Sequence, residues 1–172
     1  MILIAGNGRN VGKTTFASNI IRHLPASTTV IGIKVSPHIH DLNEDLVVIQ
    51  KTDDFVVAEE RGHNMKDSSL LLQAGAKKVY FIMAKQKYLG EAFALILDQL
   101  DHDVVVAESG GLSELLTPGI FFFIKDPKDQ IIKDHYLKYK PIMVNNGDSG
   151  FDFEPEWLSF SNKLFTLSPK EK

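Results

Sequence analysis

Residues 6–15 read Gly6-Asn7-Gly8-Arg9-Asn10-Val11-Gly12-Lys13-Thr14-Thr15, and their setting decides the fold. A short apolar run, Ile2-Leu3-Ile4-Ala5, precedes them; Phe16, Ile20 and Leu24 recur at helical spacing behind them. Strand, glycine-rich turn and helix in that order are the context a phosphate-binding loop requires. Glycines allow a tight turn that aims several main-chain N–H groups at one anion. The start of the helix adds its partial positive charge. In such a loop Lys13 reaches the β- and γ-phosphates and the Thr14 hydroxyl serves Mg²⁺. All of Asn7 to Thr15 are therefore nucleotide-binding candidates. In the spacing G-x-x-x-x-G-K-[ST] the first glycine slot falls on Asn7, a residue that tolerates a left-handed backbone. A glycine-rich turn that binds nothing is the competing reading.

Short apolar runs alternate with helical patterns along the rest of the chain. That predicts an α/β fold with a mainly parallel sheet, in three layers and in one domain of 172 residues. The expected strands are 2–5, 28–35, 78–83, 103–108, 120–124 and 141–144. The expected helices are 14–24, stopped by Pro25, then 67–73, 88–101 and 127–138. In the acidic segment 41–60, two apolar runs flank Lys51-Thr52-Asp53-Asp54 and predict an inserted β-hairpin turning near Asp53-Asp54, with a helix as the alternative. The aromatic residues after 150 are expected to pack back on the domain.

The chain has no cysteine, which excludes disulfide scaffolds, thiolate metal sites and cysteine nucleophiles. A net charge of −3 gives no general electrostatic case for nucleic acid or an anionic membrane. No apolar run approaches the ~20 residues of a membrane span, and the opening run is too short for a signal segment. The expectation is a cytoplasmic chain.

Glu108 ends the apolar run Val104-Val105-Val106-Ala107, where a parallel strand presents a second metal-binding acid to the crevice. Ser109-Gly110-Gly111 beside it allow close approach of a phosphate or substrate. Lys34, at the end of its own strand, can neutralise a γ-phosphate or hold a substrate carboxylate. Lys13, Lys34 and Glu108 are thus the catalytic candidates, and Lys34, Ser109, Gly110 and Gly111 the substrate-binding ones. A solvated strand end is the alternative for Lys34 and Glu108. Asp103 begins its strand and is not assigned to metal. His38 and His40 are one residue apart, so on an extended chain they point to opposite faces, which argues against shared metal binding. Asn145-Asn146-Gly147-Asp148 either reaches a base or forms a polar turn; N-K-x-D itself is absent.

Two family resemblances follow from these residues. Gly8 to Thr15, Gly32-Ile33-Lys34 with His38 and His40, Lys66-Asp67-Ser68 leading to Ala74-Gly75-Ala76, and Asp103 to Glu108 resemble the molybdopterin-guanine dinucleotide biosynthesis protein B family. That resemblance covers most of residues 1–125. It implies a P-loop NTPase fold, GTP with Mg²⁺, and slow hydrolysis in an accessory to molybdenum cofactor guanylation that has a partner protein. It also adds Asp67 to Thr14 and Glu108 as a metal candidate; the residue-level alternative for Asp67 is a helix cap. Gly6 to Thr14 and Val106-Ala107-Glu108-Ser109-Gly110-Gly111 resemble dethiobiotin synthetase, which implies ATP and activation of a carboxylate by phosphoryl transfer. Both resemblances imply a homodimer. A non-catalytic nucleotide-binding adaptor is the reading from another class.

Overall fold

In the computed structural model, residues 1–100, 104–128, 134–162 and 164–168 are described. Asp103 and His102 lie outside them. The apolar run at the start forms β1 (Ile2–Gly6), every residue of which is buried. Such a run, apolar on both faces, is what a strand covered on both sides by helices demands. β1 pairs in parallel with β6 (Val104–Glu108) on one side and β7 (Ile120–Lys125) on the other. The chain adds β2 (Val30–Ser36), β5 (Lys78–Ala84) and β8 (Ile142–Gly147) to the same parallel set. The acidic segment forms the expected antiparallel hairpin, β3 (Leu46–Lys51) and β4 (Phe55–Glu60), and β4 docks antiparallel on β5. With β9 (Gly150–Phe151) at the far edge, the order of the nine strands described is β3-β4-β5-β2-β6-β1-β7-β8-β9.

Three layers result. On one face, α1 (Lys13–His23) and α2 (Asp67–Gln73) bury Phe16, Ile20 and Leu71 against Ile2, Ile4, Val104, Val106 and Phe122. On the other, α3 (Leu89–Ala94) and Tyr136 cover Leu3, Ile33, Val105, Phe121 and Phe123. Gly32 on β2 permits the close helix contact on the first face: a Cβ there would meet Val79 at 3.0 Å and Leu71 Cβ at 3.5 Å. Among the described residues no helix is long and apolar enough to cross a membrane.

Several boundaries differ from expectation. The helix expected over 88–101 is a 3₁₀ turn (Gln86–Tyr88), α3, and a second 3₁₀ turn (Leu97–Gln99). Leu89, Phe93 and Ile96 are buried as their spacing requires, but i→i+3 bonds such as Gln99 N–H to the Ile96 carbonyl replace the α ladder. Spacings of three and four residues fit either winding. The helix expected over 127–138 is a turn at 127–128 and a 3₁₀ helix at Asp134–Tyr139; residues 129–133 lie outside those described. Tyr136 and Tyr139, three apart, both meet the Phe121 ring edge-on, at 6.2 and 6.4 Å. That geometry suits a three-residue turn, which eclipses positions i and i+3.

The terminal aromatics pack as expected. Phe16 meets Phe122, Phe151 and Phe153 at centroid distances of 5.1, 5.1 and 5.8 Å, and Trp157 sits 5.3 Å from Phe153. β10 (Leu158–Ser161) and β11 (Leu164–Leu167) close the chain as a hairpin. Phe16 thus joins α1 to the sheet and to the C-terminal segment at once. Phe16→Ala should cost about 3–5 kcal/mol in urea unfolding, and it should loosen the loop that α1 begins, read as faster amide exchange at residues 7–15.

Candidate functional site

The Gly6–Gly12 turn is shaped by two left-handed residues, Asn10 (φ 59°) and Gly12 (φ 92°). The asparagine that takes this conformation is Asn10 and not Asn7, whose φ is negative. Gly6 is required for a different reason: a Cβ on it would lie 2.7 Å from the Ile124 carbonyl oxygen and 3.0 Å from the Lys13 stem. The absent side chain lets Lys13 lie back across the end of β1, where its ammonium donates to the Gly8 carbonyl. Gly12 is closed in by Asn146 and Phe151; a Cβ there would stand 2.5 Å from Asn146 Nδ2. No side chain caps the start of α1, and no acid stands in its first turn. The loop therefore presents main-chain groups and one ammonium, the components of an anion cradle.

Beside this cradle lies an ionic cluster. Register sets it up, because β6 runs between β1 and β2, and Glu108 is level with Ile4 on one side and Lys34 on the other. Glu108 and Lys34 stand two positions beyond Val106 and Gly32 on their strands, so they share the face that α1 and α2 cover. Lys34 Nζ stands 2.6 Å from Glu108 Oε1 and 2.6 Å from Asp67 Oδ2 at the start of α2. The Thr14 hydroxyl donates to Glu108 Oε2 at 2.6 Å and lies 3.5 Å from Lys34 Nζ. Thr14, Lys34, Asp67 and Glu108, separated by up to 94 positions in the chain, thus converge on one point. Side-chain exposure differs sharply: 4% for Glu108, 13% for Lys34 and 55% for Asp67. The Glu108–Lys34 pair is the buried interaction, and Asp67 completes it from the rim. Asp67 sits in the first turn of α2 without capping it; the N-cap is Lys66, which makes no side-chain cap bond.

The oxygens of Thr14, Glu108 and Asp67 fit a hard divalent cation, which takes oxygen ligands and, as Mg²⁺, keeps several waters. Among the described residues no three His, Asp or Glu side chains group as a self-sufficient metal centre. The protein could offer such an ion one hydroxyl and two carboxylates, and water or substrate oxygens would supply the rest.

Other candidates are placed differently. The Ser109 hydroxyl accepts the N–H groups of Gly111 and Leu112, both at 3.1 Å, and shapes its own turn. The Gly110 carbonyl accepts the Tyr136 hydroxyl, and burial pushes that phenol above its ordinary pKa, which keeps it a donor. A Cβ on Gly111 would stand 2.5 Å from Gln86 Oε1. The close approaches these glycines allow are to the protein's own side chains. Arg9, Asn10 and Thr15 are exposed at the loop rim. Asn146 Nδ2 donates to the Val11 carbonyl at 3.1 Å, and Asn145 is clamped to Asp152 at 2.6 Å, so this segment braces the loop from behind. His40 Nε2 lies 3.2 Å from the Ser36 hydroxyl, while the two imidazole centroids of His38 and His40 are 6.3 Å apart.

One buried charge had no mark in the sequence. Glu60 is almost fully buried and accepts the Gly62 N–H at 2.8 Å and the Ser68 hydroxyl at 2.6 Å. Ser68 follows Asp67, so this bond anchors the start of α2 beside the ionic cluster. Glu59 and Glu60 are indistinguishable by composition; only the register with β5 sends one of them inward.

No family model, no curated protein and no solved structure matches the chain.

The exposures predict unequal costs. Glu108→Ala leaves the Lys34 ammonium buried with a single rim partner and should cost about 3–5 kcal/mol. Asp67→Asn should cost about 0–1 kcal/mol, because its side chain is half in water. Urea titrations of the two variants check the contrast.

Proposed function

We propose that this chain binds a nucleoside triphosphate with Mg²⁺ and acts on its terminal phosphate. The observation that carries the reading is the convergence of Thr14, Lys34, Asp67 and Glu108 at the carboxyl end of the parallel strands, beside the turn that holds Lys13 and an uncapped helix start. In open α/β sheets that edge is where ligands bind. The turn and the start of α1 cradle the polyphosphate, and Lys13 leaves the Gly8 carbonyl for the β/γ-phosphate oxygens. Thr14 and Glu108 are the residues to hold Mg²⁺, with Asp67 from the rim. Bound there, the ion supplies charge neutralisation of the phosphates. Lys34 provides the second mobile positive charge, and Glu108 orients an attacking water or acceptor. Catalysis of this kind rests on positioning and charge stabilisation.

The sequence resemblance to the molybdopterin-guanine dinucleotide biosynthesis protein B family makes GTP the favoured nucleotide. It makes an accessory role in molybdenum cofactor guanylation, with slow hydrolysis and in a homodimer with a partner protein, the favoured setting. The synthetase reading loses ground at Ser109-Gly110-Gly111, whose turn is filled by Tyr136 and Gln86 and not left open to a carboxylate.

Thermal shifts with GTP, ATP and their non-hydrolysable analogues, each with and without Mg²⁺, test the reading. Stabilisation should require a triphosphate and increase with Mg²⁺; no shift with either nucleotide removes the proposal, and a strong preference for ATP removes the guanylation setting. Lys13→Ala should weaken triphosphate binding roughly 10- to 100-fold by calorimetry, the size of one lost charged hydrogen bond at about 1.5–3 kcal/mol. Unchanged affinity would take Lys13 out of the phosphate contacts.

A further inference from the structure

One ammonium holds together the two carboxylates of the cluster at the cradle. Lys34 Nζ touches Glu108 and Asp67 at 2.6 Å each and approaches the Thr14 hydroxyl at 3.5 Å. These are the same three side chains whose oxygens suit a divalent cation. The ammonium and a metal ion compete for one set of ligands, and their like charges forbid joint occupancy at contact distance. We infer that the Lys34 ammonium is the tethered occupant of the cation position, and that a divalent ion enters only when a polyphosphate gives the displaced lysine a new anion. The inference rests on the triphosphate reading and deepens it by fixing the order of binding: the ion is refused alone and accepted with nucleotide.

Three features carry it. Lysine is a compact charge on a flexible four-carbon stem, so it can leave one oxygen set for another without moving β2. Glu108 is buried, so an ionised carboxylate there needs a cation partner, and Lys34 is in place to supply it. Asp67 is half-exposed, so releasing or re-engaging it costs little. The exchange therefore turns on Glu108 and on a lysine whose ammonium already lies within reach of the first turn of α1.

Mn²⁺ binding to the nucleotide-free full chain, counted by electron paramagnetic resonance, tests this. Lys34→Met should bind one Mn²⁺ at least ~10-fold more tightly than wild type, and the added Glu108→Gln should abolish the gain. Lys34→Arg, which keeps the charge, should stay as weak as wild type. Wild type should acquire Mn²⁺ when a non-hydrolysable triphosphate is added. Equal Mn²⁺ affinity in wild type and Lys34→Met overturns the inference, as does a gain that survives Glu108→Gln. If Lys34→Met is unfolded because Glu108 is stranded, Mn²⁺ alone should restore its circular dichroism, and failure to do so overturns the inference equally. Tight Mn²⁺ binding by Lys34→Met with no nucleotide binding by either protein upholds the competition and removes only the triphosphate reading.

Discussion

The buried ion pair between Lys34 and Glu108 constrains everything around it. Removing two charges from water costs several kcal/mol each, and their attraction offsets that only with good geometry and further hydrogen bonds. Here the geometry is supplied by register: β6 lies between β1 and β2 and holds the two residues level. The further bonds come from Thr14 and Asp67. Neighbouring positions on the same face are filled by Ile4, Val104 and Val106. A branched apolar pair at 34 and 108 would continue that layer at no electrostatic cost. Stability alone does not explain charges in this position, which is why the cluster reads as chemistry.

The loop next to it is held by packing and not by its own sequence alone. Gly12 is hemmed by Asn146 and Phe151, and Asn146 donates into the loop at Val11. Phe151 and Phe153 in turn lean on Phe16, one turn into α1. The C-terminal segment is therefore a brace for the turn and for the helix that begins there. On the opposite side Ser68 and the buried Glu60 fix the start of α2, and with it the height of Asp67. Two supports drawn from distant parts of the chain set the two walls of one cradle.

Most of the architecture was legible because its signals are local and periodic. The strand-turn-helix at 2–24, the 46–60 hairpin and the helix at Asp67–Gln73 all follow from apolar spacing and breaker residues. The nearness of Thr14, Lys34 and Glu108 was legible too, since each stands at the carboxyl end of a strand or the start of a helix, whereas Asp67 entered only through the resemblance carried by Lys66-Asp67-Ser68. Segments that need tertiary information were not. Residues 86–99 wind partly as 3₁₀ turns, a choice that apolar spacing leaves open. Glu60 turns inward only because β4 pairs with β5 in one register and not the adjacent one. Gly110 and Gly111 carry a substrate-approach signal in the sequence, yet Tyr136 and Gln86 from other elements occupy that approach. The sequence shows that these glycines are needed, but only packing shows for what.

Both lysines of the cradle are engaged by groups of the protein itself, and this bears on how a ligand can be recognised. Lys13 is bonded to a carbonyl of its own loop, and Lys34 to two carboxylates. A weak anion offers too little to draw either away, because each exchange gives up a charged hydrogen bond of about 1.5–3 kcal/mol. A ligand with several closely spaced negative oxygens repays both exchanges at once. Under the proposed reading, the internal bonds act as a threshold that favours a metal-bound polyphosphate over a single phosphate or an isolated ion. Discrimination then comes from the internal bonds that Lys13 and Lys34 already make, since only a ligand able to replace both sets keeps each ammonium paired.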